Sequence, residues 1–238
     1  MGERAPDRWD QLLRAAAQES SSQPRRIAQM CVEMLDISGA GISLVSDTGV
    51  RGVVCATDDV ALHIEELQLT LGEGPCVDAI GRGGPVLVPD LEDRADVATE
   101  RWPGFMSAAM EAGVRAVFAF PVRIGAINLG ALDLYRSWAG ALSEEQLSGA
   151  LLAAEGAGVA LLSLHATDDG GLVDDASTPG GYQAQVHQAT GMIMVQACVD
   201  IEQAFLLLRA RAFASGRPIQ DVAADVVAHR IRFDAEDG

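Results

Sequence analysis

Five arginines in the last fifth of the chain offer the most readable chemistry: Arg209, Arg211, Arg217, Arg230 and Arg232. A guanidinium grips a phosphate with two parallel hydrogen bonds or stacks on an unpaired base. His187 and Gln188, upstream of them, carry groups able to reach base edges. The plainer alternative is a solvated face in which these arginines pair with Asp200, Glu202, Asp221 and Asp225. A second group lies earlier in the chain. The run Gly72-Glu73-Gly74-Pro75-Cys76 is its richest turn, with glycines that reach backbone conformations closed to other residues. Glu73, Gly74 and Cys76, with Asp90, Phe120 and Asp133, form the expected lining of a small-molecule pocket. Cys76 could be a redox-responsive thiol, although a buried cysteine more often serves as a small hydrophobe.

Composition removes many alternatives. Of 238 residues, 34 are acidic and 17 basic, a formal charge of −17, and every base is arginine. Without lysine, Schiff-base, phosphate-loop and kinase-type mechanisms that need one are excluded. The chain has no GxSxG, HExxH or dinucleotide GxGxxG, and no carboxylates spaced as a general acid–base pair. The sequence therefore predicts no enzyme. Cys31, Cys55, Cys76 and Cys198 are scattered without CxxC or Cys/His clustering, which predicts free thiols, no metal and no cofactor. No apolar run reaches the roughly 18 residues of a membrane span, and MGERAPDRWDQ lacks the apolar core of a signal peptide. A cytoplasmic location is expected.

Two patterns of elements must position these groups. Up to about residue 165, short strands alternate with helices: strands at 41–46, 51–56, 86–88, 116–120 and 127–135, helices at 9–18, 25–35, 104–112 and 144–164. Ser143 with Gln146 reads as a helix start, and Gly156 and Gly158 predict a bend in the helix that follows. The Gly- and Asp-rich stretch 166–181 reads as a flexible acidic linker. Beyond it the pattern is purely helical. Tyr182, Val186, Ala189, Ile193 and Ala197 make one apolar stripe. Asp200 with Gln203 caps a second helix lined by Ile201, Ala204, Phe205, Leu208 and Ala212. Leu206 and Leu207 add apolar surface elsewhere on it, which predicts burial on more than one side. Pro218 opens a third helix, with Ile219, Val222, Ala223, Val226 and Val227 inward. Expected boundaries are an N-terminal extension 1–24, a first domain 25–165, the linker 166–181, a helical domain 182–233 and an acidic tail 234–238.

The helical segment resembles the ANTAR domain, an RNA-binding module of bacterial transcription antiterminators. Gln188-Ala189-Thr190-Gly191, Ala204-Phe205, Leu208-Arg209, Ala212 and Asp221-Val222-Ala223 carry the resemblance. Many ANTAR domains have lysine where this chain has Thr190. The first domain resembles the GAF domains that precede ANTAR domains in actinobacteria, through the runs 69–79, 86–91, 101–105, 115–135 and 142–147. The resemblance implies an α+β GAF sensor, an antiparallel sheet flanked by helices, followed by an all-α three-helix ANTAR domain. It implies a dimer that binds paired hairpins in nascent RNA and prevents a terminator from forming, with a small-molecule ligand on the GAF domain. On that reading the five arginines, His187 and Gln188 are the RNA contacts. Residues 182–232 hold five arginines and four acids, so only this part of the chain is not acidic. The competing readings are a protein-interaction or dimerisation module with weak or no RNA binding, and a duplex-DNA binder using its second and third helices.

Overall fold

The structure, a computed structural model, describes residues 23–46, 49–93, 101–167 and 179–233. The helix expected at 9–18 and most of the expected linker lie outside them. The described chain divides into two compact units near residue 170.

In the first unit the elements run α1 (Gln23–Leu35), β1 (Gly39–Ser46), β2 (Gly49–Ala56), α2 (Asp59–Leu71), α3 (Pro75–Arg82), β3 (Val86–Val88), α4 (Pro103–Glu111), β4 (Ala116–Ile124), β5 (Ile127–Arg136) and α5 (Glu144–Thr167). The strands form one antiparallel sheet in the order β2-β1-β5-β4-β3. Alternation along the strands sends Ile42, Phe118, Phe120, Val122, Leu132 and Leu134 to one face. There they meet Ile27, Cys31 and Leu35 of α1 and Ala150, Ala153, Ala157 and Leu161 of α5 in a continuous apolar core. Alanines on α5 let it lie close to the sheet. A Cβ at Gly158 would stand 3.1 Å from the Arg123 carbonyl oxygen, so this glycine serves close packing. By length and composition Glu144–Ser163 could cross a membrane, which the sequence expectation overlooked, but the alanines along its inner side are buried in this core.

The opposite face is built differently. Pairing sets Gly41 and Ala119 on either side of Asp133, with Ser43 beside Ala131. These small residues leave room above the sheet, and α3 packs over β3, β4 and β5 there. The helix α2, absent from the sequence expectation, starts where the Asp58 carboxylate accepts from Val60 N and Ala61 N, both at 2.9 Å. It ends at Gly72, whose φ of 67° is the left-handed conformation that favours glycine.

The second unit has three helices: α6 (Pro179–Ala197), α7 (Ile201–Ser215) and α8 (Ile219–Val227). The axis turns by 106° between Gln185–Ala197 and α7. Asp200 makes the expected capping box, its Oδ1 accepting from Gln203 N at 2.8 Å. Val186, Ala189 and Ile193 of α6, Ala204, Leu208 and Ala212 of α7, and Ile219, Val222, Ala223 and Val226 of α8 are all buried. The apolar stripe of α7 is narrower than the sequence suggests. Ile201 and Leu206 are 52% and 60% exposed, and Phe213 stands out as well.

Candidate functional sites

Above the polar face of the sheet, α2 contributes Glu65 and Gln68, one turn apart on the stripe that also carries Ala61 and Ile64. Gln68 Nε2 donates to Asp133 Oδ2 at 2.7 Å, while its Oε1 accepts from Cys76 N at 2.8 Å. Ser43 Oγ donates to Glu65 Oε2. Ser43, Glu65, Gln68, Cys76 and Asp133 are all at most 3% exposed. Two glycines are required by this packing. A Cβ at Gly41 would overlap the Glu65 side chain, and one at Gly74, already at a φ of 135°, would press on Gln68.

Glu65 Oε1 and Asp133 Oδ1 are buried with no donor from another side chain or the backbone. Burial pushes Glu65 well above the usual carboxylate range, and the neighbouring Asp133 charge adds to the rise. Burial likewise raises Asp133 to about 6, an increase moderated by the neighbouring Glu65, Gln68 and Cys76 side chains. The Cys76 thiol is pushed up by burial and then by both carboxylates. It stays protonated at ordinary pH, unsuited to the redox role considered from the sequence.

Of the six residues expected to line a pocket, Gly74, Cys76 and Asp133 come together here and three do not. Phe120 belongs to the apolar face, because its parity on β4 matches Phe118 and Val122. Glu73 Oε1 accepts from Gly104 N at 2.6 Å and Phe105 N at 2.9 Å, so it caps α4. Asp90 pairs with Arg115 at 3.4 Å near the surface. Ser43, Glu65 and Gln68 were missed. Their signal was a helical stripe with polar members between the cap residues Asp58 and Gly72.

In the second unit Arg209 and Arg211 lie on α7, with Arg211 exposed. His187 and Gln188 are exposed on α6, and Gln188 is about 12 Å along the helix from Gln196, which accepts from Phe233 N at 3.0 Å. Arg217 and Arg230 meet at one acid. Arg217 Nη1 donates to Asp225 Oδ2 at 2.7 Å and Arg230 Nε to Asp225 Oδ1 at 2.6 Å. These contacts hold the Asp225 carboxyl below its usual range. Arg232 is exposed close by in sequence. Thr190 is buried, its hydroxyl donating to Val186 O at 2.7 Å, so it lies off the surface that carries the arginines. A Cβ at Gly191 would meet nothing within 4 Å, so this glycine does not mark a close helix approach. Among the described residues no group of three or more His, Cys, Asp or Glu could hold a metal ion.

The sheet order and the two covered faces define the first unit as a GAF domain, and the GAF family profile matches residues 25–162. The chain belongs to the GAF-domain family. The ANTAR profile matches residues 182–227, so the C-terminal unit is an ANTAR domain. The GAF domain of a phosphoenolpyruvate-protein phosphotransferase from Acinetobacter is similar at 10% identity and a TM-score of 0.54, over 72% of this chain and all of that one. The corresponding GAF domain from Coxiella burnetii is 14% identical, with a TM-score of 0.49, over 69% of this chain and 98% of its own. A free methionine-R-sulfoxide reductase from Neisseria meningitidis, solved with its substrate, is 15% identical with a TM-score of 0.46 and covers 70% and 95%. No curated protein sequence matches the chain. Both matched families are regulatory: GAF domains are sensors and ANTAR domains are RNA-binding antitermination modules.

Proposed function

We propose that this chain is a signal-responsive transcription regulator whose ANTAR unit binds hairpin RNA in nascent transcripts and prevents termination, with the GAF unit as sensor. The observation that carries the reading is the three-helix unit with Arg211, Arg217, Arg230 and Arg232 at its surface, within a segment matched as ANTAR. Arg209, His187 and Gln188 complete the proposed contacts. Arginine suits the task, since it engages phosphate oxygens and also stacks on bases unpaired in hairpin loops. The protein works as a homodimer on this reading, and exposed Leu206 and Phe213, seven residues apart on α7, supply apolar surface for a second copy. Its setting is the cytoplasm, where nascent transcripts are found in bacteria. On the GAF side, the small-molecule site is centred on Asp133, Cys76 and Gly74. Its ligand is one with N–H or O–H donors that satisfy the unpaired oxygens of Glu65 and Asp133.

In vitro transcription through a terminator preceded by two small hairpins tests the reading. Added protein should raise readthrough, and Arg211→Ala combined with Arg232→Ala should reduce it severalfold. Readthrough that never changes with protein would sink the proposal.

A further inference from the structure

Asp225 is an acid placed within the surface that the proposed function assigns to RNA. Coulomb's law alone makes it a handicap there, because it repels phosphate and neutralises one arginine. The geometry around it has another meaning. Two left-handed turns deliver the arginines to the two oxygens of this one carboxylate. Gly216, at a φ of 61°, ends α7 and turns the chain into Arg217. His229, at a φ of 58°, follows α8, and the next amide, Arg230 N, donates to the Asp225 carbonyl at 2.8 Å. A non-glycine residue in that conformation is uncommon and is held by its surroundings. The turn therefore fixes Arg230 above Asp225 through the backbone as well as the side chain.

The Asp225 side chain is only 16% exposed, while those of Arg217 and Arg230 are 42% and 63% exposed. Asp225 thus lies beneath the pair. It uses Nη1 of Arg217 and Nε of Arg230, which leaves Nε and Nη2 of Arg217 and both terminal nitrogens of Arg230 as further donors.

Resting on the RNA-binding reading, we infer that Asp225 is a positioning residue for RNA: it assembles Arg217 and Arg230 into one pre-ordered clamp for adjacent phosphates or a phosphate and a loop base. Each arginine otherwise samples many rotamers and loses that freedom when it binds. Asp225 removes that freedom before RNA arrives, and the gain exceeds the repulsion it adds.

The sign of one substitution tests this. Full-length protein is titrated with a synthetic RNA of two small hairpins joined by a short linker, over a salt series. Asp225→Asn is nearly isosteric and raises the net charge by one. If Asp225 positions the arginines, affinity falls about tenfold despite the added charge. The slope of log K against log salt should also become shallower by roughly one phosphate contact. Asp225→Glu, which keeps the carboxylate on a longer stem, should bind between the two. In an Arg217→Ala, Arg230→Ala background, Asp225→Asn should no longer lower affinity and, with the repulsion removed, should leave it equal or slightly tighter. Equal or tighter RNA binding by Asp225→Asn, or an equal loss in the double-arginine background, overturns the positioning role while the RNA reading survives. Failure of the unaltered protein to bind at about 50 mM salt refutes the RNA reading, and the positioning role with it.

Discussion

In the N-terminal unit the carboxyl groups of Glu65 and Asp133 sit between the sheet and two helices, 1% and 3% exposed, while in the C-terminal unit Arg211, Arg230 and Arg232 stand in solvent. Ionisable groups in the two units are thus governed by different physics. Burial makes the acid pair sensitive to desolvation, to the exact complement of donors and to protons, and nearly indifferent to salt. Exposure makes the arginines sensitive to salt and to a polyanionic partner, and nearly irrelevant to folding. On the proposed function, the first arrangement suits a sensor that registers a small change in a buried site and the second an output that finds a long polyanion.

The largest expected effect breaks the units apart. Ala189 is fully buried at the centre of α6, and Ala189→Arg would place an unpaired guanidinium in the three-helix core. A loss of about 3–5 kcal/mol is expected in the C-terminal unit alone. Calorimetry should show its transition abolished or greatly lowered, with the GAF transition retained. A single shifted transition for the whole chain would show that the units do not behave separately.

Next in size is Gln68→Leu, which strips Asp133 Oδ2 and Cys76 N of their partner in one step. Stranding two buried polar groups should cost the GAF unit about 2–4 kcal/mol at pH 7. Chemical denaturation would measure it, and a change below about 0.5 kcal/mol would mean that water reaches the cluster.

A smaller effect, of opposite sign, is expected from Glu65→Gln. Glu65 and Asp133 both have folded pKa values above their unfolded ones, with Asp133 at about 6. The folded state then holds more protons than the unfolded state from about pH 4 upward, so GAF stability falls as pH rises through 6 and keeps falling while Glu65 retains its excess proton. Glutamine supplies Asp133 with a permanent N–H donor and still accepts from Ser43. Glu65→Gln should therefore stabilise the unit at pH 8 by about 1 kcal/mol and flatten its pH profile. A profile as steep as that of the unaltered protein would show that the pair is not the source. The smallest effect belongs to a surface cap: Asp200→Ala should cost the ANTAR unit about 1 kcal/mol and leave the GAF unit untouched.

Several local signals, set by neighbours in sequence, were readable. The capping boxes at Ser143–Gln146 and Asp200–Gln203 both form, with reciprocal hydrogen bonds. Strand β3 matches its expected span. Parity on β4 was not readable, because both of its faces are covered and Val117, Phe118, Ala119 and Phe120 are all buried. That ambiguity placed Phe120 in the wrong layer. The role of Glu73 was hidden because its partners lie 31 and 32 residues away. Helix α2 was missed for a related reason: Glu65 and Gln68 occupy inward positions where an amphipathic pattern would hold apolar residues. A local rule failed at the polar cluster, the part of this fold with no purely structural requirement for charge.

The most direct test is the affinity of the full chain for a two-hairpin RNA as salt is raised from about 50 to 200 mM, repeated with Arg211→Ala and Arg232→Ala. The account predicts measurable binding at low salt, a steep linear fall of log K with log salt, and a shallower slope by about one for each arginine removed. Absence of binding at low salt, or binding whose slope is unchanged in both variants, would contradict it and leave the helical unit as a protein-interaction module.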